Sequence, residues 1–204
     1  MTDSQVTAVL ETRLIHDIHR RATSLLAEAA ARPSAPPAAL AEVRDFLVAH
    51  LHHHHESEDD ILWPMIKAKA PTAADPLAGL SDEHDRLDAA LDALGAAPMD
   101  DSDRTALLDT AVAVRDLVHL HLEHEEPALF PALRDHVSEA AWAEFSQHVM
   151  ATTPQVGMHL LVGFLEQVGT PEEVEMLIGG IPAPVRTALR EQAQATFDTL
   201  RAAG

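Results

Sequence analysis

Apolar residues recur at helical spacing along four stretches of this chain before residue 137. The first runs from about Val6 to Ala31, with Leu14, Ile18, Ala22, Leu25 and Ala29 on one stripe, and stops before Pro33. The second starts near Ala38 and passes through Val43, Leu47 and Leu51 to Pro64 or shortly beyond. Ser81 predicts the N-cap of a third, with Asp82 and Glu83 in its first turn, Leu87, Leu91 and Leu94 on its apolar face and Gly95 at its end. Ser102 predicts the cap of a fourth, which carries Leu107, Ala111, Val114, Val118, Leu122 and Leu129. Four such helices with short connections predict an all-α fold, an antiparallel up-down-up-down four-helix bundle over residues 1–137. Residues 138–204 read as additional C-terminal helices. Ser138 stands before one of them, Thr170-Pro171-Glu172-Glu173 has the form of a capping box, and Pro182 and Pro184 introduce the last. This extension is expected to pack on the bundle or form an oligomer contact, in a monomer or a homodimer.

Composition narrows the class. Apolar residues make up 47% of the 204, rich in Ala and Leu, whereas aromatics reach only 3% and Tyr is absent, which disfavours a β-sandwich. A formal net charge of −19 argues against direct binding to nucleic acid or an anionic membrane. No run is long enough to span a bilayer and no signal peptide is evident, so a cytoplasmic protein is expected. The absence of Cys removes disulfides, thiolate metal sites and thiol nucleophiles.

Within the second and fourth helices one block occurs twice. His54-x-x-x-Glu58 leads into Leu62-Trp63-Pro64, and His121-x-x-x-Glu125 leads into Leu129-Phe130-Pro131, in the same register. Residues four apart on a helix share a face, so each block aims an imidazole and a carboxylate in one direction. Placed at about 100° per residue, His54, Glu58, His121 and Glu125 all fall on the apolar side of their helices. His52, His53 and His55 fall off it, which predicts solvated or supporting roles. His84 lies beside the Leu80–Leu87–Leu91 stripe of the third helix. On the first helix His19 lies at the edge of the core face and is preferred to His16, which projects further round. Each half of the bundle then offers a single His on its first helix and a His-x-x-x-Glu on its second.

Burying so many polar groups without a partner would cost several kcal/mol for each charged one, and a cation removes that cost. Imidazole and carboxylate without thiolate suit iron, manganese or zinc. The nitrogen-rich set departs from ferritin-like sites, which use four carboxylates. Asp59 and Glu126, next to the two carboxylates, are candidates to hydrogen-bond ligand imidazoles. Trp63 and Phe130 are read as seals at the end of the bundle, and Met65, Met150 and Met158 as core or cap filler.

These residues resemble the hemerythrin-like, or HHE cation-binding, domains over about residues 10–136. The resemblance implies a four-helix bundle around a non-haem di-iron centre. It makes His19, His54, His84 and His121 terminal ligands, and Glu58 and Glu125 bridging or chelating ones. It also implies oxygen, nitric oxide or peroxide as small ligands. Oxygen carriers of the family place a second His four residues after the one on their third helix, where this chain has Asp88. That departure favours a centre with more open positions, which acts as a binding or sensing module or as an oxidoreductase. A metal-stabilised structural protein is a third alternative.

Overall fold

A computed structural model of the chain describes residues 3–99 and 103–202, and it is helical throughout, with no strand among the described residues. Four long helices carry the repeated pattern: α1 (Asp3–Ala30), α2 (Pro37–Ser57), α5 (Leu80–Ala96) and α6 (Thr105–His136). Between α2 and α5 lie a π-helical turn (Glu58–Leu62), α3 (Trp63–Lys69), the single turn α4 (Pro71–Ala74) and a 3₁₀ turn (Asp75–Leu77). The C-terminal part contributes α7 (Glu139–Thr152), α8 (Met158–Val168), α9 (Pro171–Ile178) and α10 (Ala183–Ala202). Helix α1 packs against α2 and α6, and α5 packs against the same two.

Local chemistry sets the boundaries. Pro37 starts α2 at a position where its missing N–H is not needed. Ser138 caps α7 through the Ala141 N–H, and Thr170 and Glu173 form a reciprocal capping box on α9. Two expected caps differ. The third long helix begins at Leu80 rather than after Ser81, because the Ser81 hydroxyl donates to Asp59 on the π turn at 2.5 Å. Ser102 lies outside the described residues, and at the start of α6 the Asp103 side chain accepts from the Thr105 N–H.

The core divides into two apolar clusters. One holds Leu14, Ile18, Leu47, Leu51, Leu87, Val118 and Leu122, and the other Ala8, Leu62, Trp63, Leu80, Leu129 and Leu133. Along α1 and α5 the chain passes from the second cluster to the first, and along α6, and along α2 with the π turn after it, from the first to the second. His54, Glu58, His84 and Glu125 lie between the two along the chain, whereas His16 and His19 fall among first-cluster residues of α1.

The C-terminal helices share the two clusters rather than forming a core of their own. Trp142 and Phe145 of α7 belong to the second. Leu160, Phe164 and Leu165 of α8 and Phe197 and Leu200 of α10 belong to the first. Helix α8 packs on α1 and α2, and α10 packs on α8. The α8–α10 crossing is tight at Gly163, where a Cβ would run into Ala193 and Phe197. Gly157, at φ +65°, turns the chain into α8 against the Phe46 ring. None of the described helices is long and apolar enough to cross a membrane.

Candidate metal centre

Two carboxylates occupy the middle of the polar layer. Glu58 and Glu125 are both buried, one on the π turn and the other on α6. Ligand-type atoms of Glu58, Glu125, His16 and His54 all lie within 4.8 Å of one another. His54 Nε2 stands 3.6 Å from Glu58 Oε1, and His84 Nε2 stands 3.5 Å from Glu58 Oε2. On the other side His121 Nε2 is 3.2 Å from Glu125 Oε2 and His16 Nε2 is 3.7 Å from it. His84 and His121 bring their Nε2 atoms to 3.2 Å of each other.

Three of these imidazoles are held from behind by a carboxylate. His16 Nδ1 meets Glu126 at 3.1 Å, His84 Nδ1 meets Asp59 at 2.8 Å, and His121 Nδ1 meets Glu83 at 3.1 Å. A proton donated from Nδ1 leaves Nε2 as the lone-pair nitrogen, and in each case Nε2 faces Glu58 or Glu125. Asp59 and Glu126 thus take the supporting positions expected of them. Glu83 is an addition, and it also accepts from His124 Nδ1 at 3.0 Å. Arg20 donates to Glu126 at 2.7 Å, which fixes that carboxylate in turn.

His19, preferred from the helical wheel, is fully buried, and its ring lies edge-on to His54 with centroids 4.8 Å apart. Neither of its nitrogens has a hydrogen-bond partner, and it is not in the tight group of ligand atoms. His16 is in that group. Three features make His16 the counterpart of His84 in the repeat. Asp59 holds His84 and Glu126 holds His16, and these two carboxylates are themselves repeat partners, each one residue after Glu58 or Glu125. Trp63 stacks on His84 at 6.2 Å, and Phe130 stacks on His16 at 6.1 Å. The spacing agrees as well: His16 and His84 are 68 residues apart (84 − 16), close to the 67 between His54 and His121, whereas His19 gives 65 (84 − 19). That interval was the available signal in the sequence.

In the histidine tract on α2, of the two roles expected, His55 takes the supporting one. His55 is not solvated: it is 2% exposed, stacks on His84 with centroids 4.4 Å apart, and bonds Asp88 through Nδ1 at 2.6 Å. The reason is that α5 packs against that side of α2, so a residue off the bundle axis still enters an interface. His52 reaches Asp88 at 3.2 Å, and His53 reaches the Thr152 hydroxyl at 2.8 Å. Asp88 is therefore tied to two imidazoles of α2.

Electrostatics follow from burial. Burial, with neighbouring imidazoles adding to it, holds His19 and His54 well below the ordinary histidine value. His84 is brought down to about 4, chiefly by burial and then by His55, with Asp59 partly opposing. Burial pushes the Glu58 carboxyl well up, and the charge of Glu125 pushes it further. Burial acts on Glu125 in the same sense, but His16 and His121 outweigh it and hold that carboxyl down to about 2. Burial disfavours charge on His121, yet bonds to Glu125 and Glu83 carry it above its usual value.

The layer remains short of partners. His16 Nε2, His54 Nε2, Glu58 Oε2, both Glu125 oxygens and both His19 nitrogens are buried without a well-formed hydrogen bond. Native proteins leave only a few such atoms and seldom gather them in one layer, and a cation between the carboxylates would satisfy most of these together. The donor set, nitrogen and oxygen only, fits a first-row metal such as iron.

A family model for the hemerythrin HHE cation-binding domain matches residues 10–133. The chain belongs to the hemerythrin HHE cation-binding family. No curated protein and no solved structure matches it. The hemerythrin match takes in all the residues of the polar layer and ends close to the end of α6, so α7 to α10 lie outside it.

Proposed function

We propose that this protein is a non-haem di-iron protein that binds or reacts with a small oxidant or diatomic ligand: oxygen, nitric oxide or peroxide. In this reading α1, α2, α5 and α6 form an antiparallel up-down-up-down four-helix bundle, an arrangement supported by their alternating passage between the two apolar clusters. Residues 138–204 are an extension built onto it. The observation that carries the reading is the set of buried imidazole and carboxylate atoms left without partners around Glu58 and Glu125.

Glu58 and Glu125 would hold the metals together with His54 and His84, which lie near Glu58, and His16 and His121, which lie near Glu125. His19, beside His54, offers a further nitrogen. Bound there, iron supplies open positions for a small ligand and a reversible change of oxidation state. The chain's own part is to fix the donors. Asp59, Glu126 and Glu83 hold the Nδ1 protons of His84, His16 and His121, so each Nε2 faces inward as a base. Trp63 and Phe130 cover the ring faces of His84 and His16.

A second reading, an oxidoreductase acting on peroxide or a small molecule, is favoured by Asp88. Where the family's oxygen carriers place another His, this chain has a carboxylate engaged with His52 and His55. Elemental analysis of the purified native protein with its visible spectrum tests the shared premise. About two irons per chain are expected, and a metal-free native protein would reject it. Stopped-flow mixing then separates the readings. A stable oxy or nitrosyl band indicates binding, and many turnovers of peroxide per centre indicate an enzyme.

A further inference from the structure

A cavity of about 410 Å³ lies between α1, the α2–π-turn segment and the C-terminal helices α7, α8 and α9. Its wall is mostly hydrocarbon, with Ile18, Phe145, Leu161 and Leu177 each coming from a different helix. At one end it is bounded by His54 and Glu58, the same residues that line the polar layer. Met150, one of its lining residues, is 66% exposed, and so that side chain is not the core or cap filler expected from the sequence.

The polar groups of the wall are largely satisfied within the protein. Glu11 accepts from the Trp142 indole and the Ser146 hydroxyl. The hydroxyls of Thr12, Ser57 and Thr153 each donate to a carbonyl one turn back. His50 and His53 are taken up by the Val156 carbonyl and Thr152. What remains is an apolar chamber ending on two residues with unpartnered buried atoms, His54 Nε2 and Glu58 Oε2. The volume is also wrong for a diatomic alone. At about 30 Å³ for a water-sized molecule, oxygen or nitric oxide would leave most of it unfilled.

We infer that this cavity binds a mainly hydrocarbon molecule of roughly ten to fifteen heavy atoms, with its one polar end at His54 and Glu58. The wall contains neither Lys nor Arg, so any charge on the molecule is confined to that end, where a bound metal is the available counter-ion. Placing the polar end at the metal rests on the di-iron reading, whereas the apolar chamber stands on its own. The C-terminal helices, which lie outside the family match, supply most of the chamber's wall. They would thereby convert a small-ligand centre into one that also receives an organic molecule.

Isothermal titration of the metal-loaded full chain with 1-decanol, and separately with decanoate, tests this. The expected result is one saturable site for 1-decanol and for decanoate, and a shift of the iron visible band when either is added. Val149→Trp and Leu177→Trp, on two different helices, should each fill the chamber. Each should weaken 1-decanol at least tenfold at unchanged iron content. No saturable binding, or undiminished binding in two folded and iron-loaded variants, overturns the proposal. A band that stays put while 1-decanol binds overturns the placement at the metal end. A native chain without iron would instead reject the di-iron reading, and the titration would still decide the chamber.

Discussion

The two helix pairs, α1 with α2 and α5 with α6, share one plan and depart from it in a consistent direction. In the second half, His121 is held by Glu83 and His124 shares that carboxylate, so the flank of the imidazole is closed by polar groups. In the first half, the residue that stands one before His16, as Glu83 stands before His84, is Ile15, and Ile15 lines the apolar chamber beside His54. Similarly, 67 residues before His124 stands Ser57, another lining residue (124 − 67). One half is braced and the other opens onto hydrocarbon. The repeat thus provides the buried imidazoles and carboxylates twice, and in the first half an apolar residue stands where the second has Glu83.

The most disruptive change removes the elements common to both halves. Glu58→Ala with Glu125→Ala is expected to abolish iron loading, read by elemental analysis; full loading in a folded double variant would reject the site. Next comes the choice on α1. His16→Ala should lose at least half of the iron, while His19→Ala should retain most of it. The opposite result would break the equivalence of His16 with His84.

A smaller effect is expected behind the ligands. Asp59→Asn and Glu126→Gln should each weaken iron binding by about 10- to 100-fold, measured by competition with a chelator. Similar losses in the two variants would support the paired roles of His84 and His16, whereas a loss in only one would confine the plan to one half.

The smallest effect concerns acid stability without metal. His84 has a folded value of about 4, below the ordinary 6.5, so between those pH values the unfolded chain binds a proton that the folded chain does not. Stability therefore falls as pH falls from 6.5 towards 4, by about 3 kcal/mol at most from this group. Glu58 acts in the opposite sense, since its raised value gives a contribution present below 4.5 and lost as pH rises. Denaturant titrations of metal-free Glu58→Gln with and without His84→Gln isolate the histidine, and the second variant should show the flatter acid slope. Equal slopes would contradict the burial of His84 as a neutral base.

Periodicity was a sound guide wherever a residue's environment was set by its own helix. The long helices, the doubled His-x-x-x-Glu block and the caps at Ser138 and Thr170 were all legible in this way. It failed where a partner from another helix decided the matter. His16 and His19 lie only about 60° apart around α1. Glu126 and Phe130, more than a hundred residues away, distinguish them. His55 is buried because α5 covers its side of α2, and Ser81 gives up its capping role to Asp59. The π turn at Glu58 is invisible to a fixed 100° step, and the chamber depends on helices with no repeated chemistry.

Two apolar clusters flank the polar layer, and α1, α5, α6 and α2 with the π turn after it each contribute to both. With a cation drawing the carboxylates and imidazoles together, that layer acts as a rivet and the molecule melts as a single unit. Without one, the same layer is a seam of buried imidazole and carboxylate atoms short of hydrogen-bond partners. Cooperativity, and not merely midpoint temperature, is then the property that metal confers on this fold.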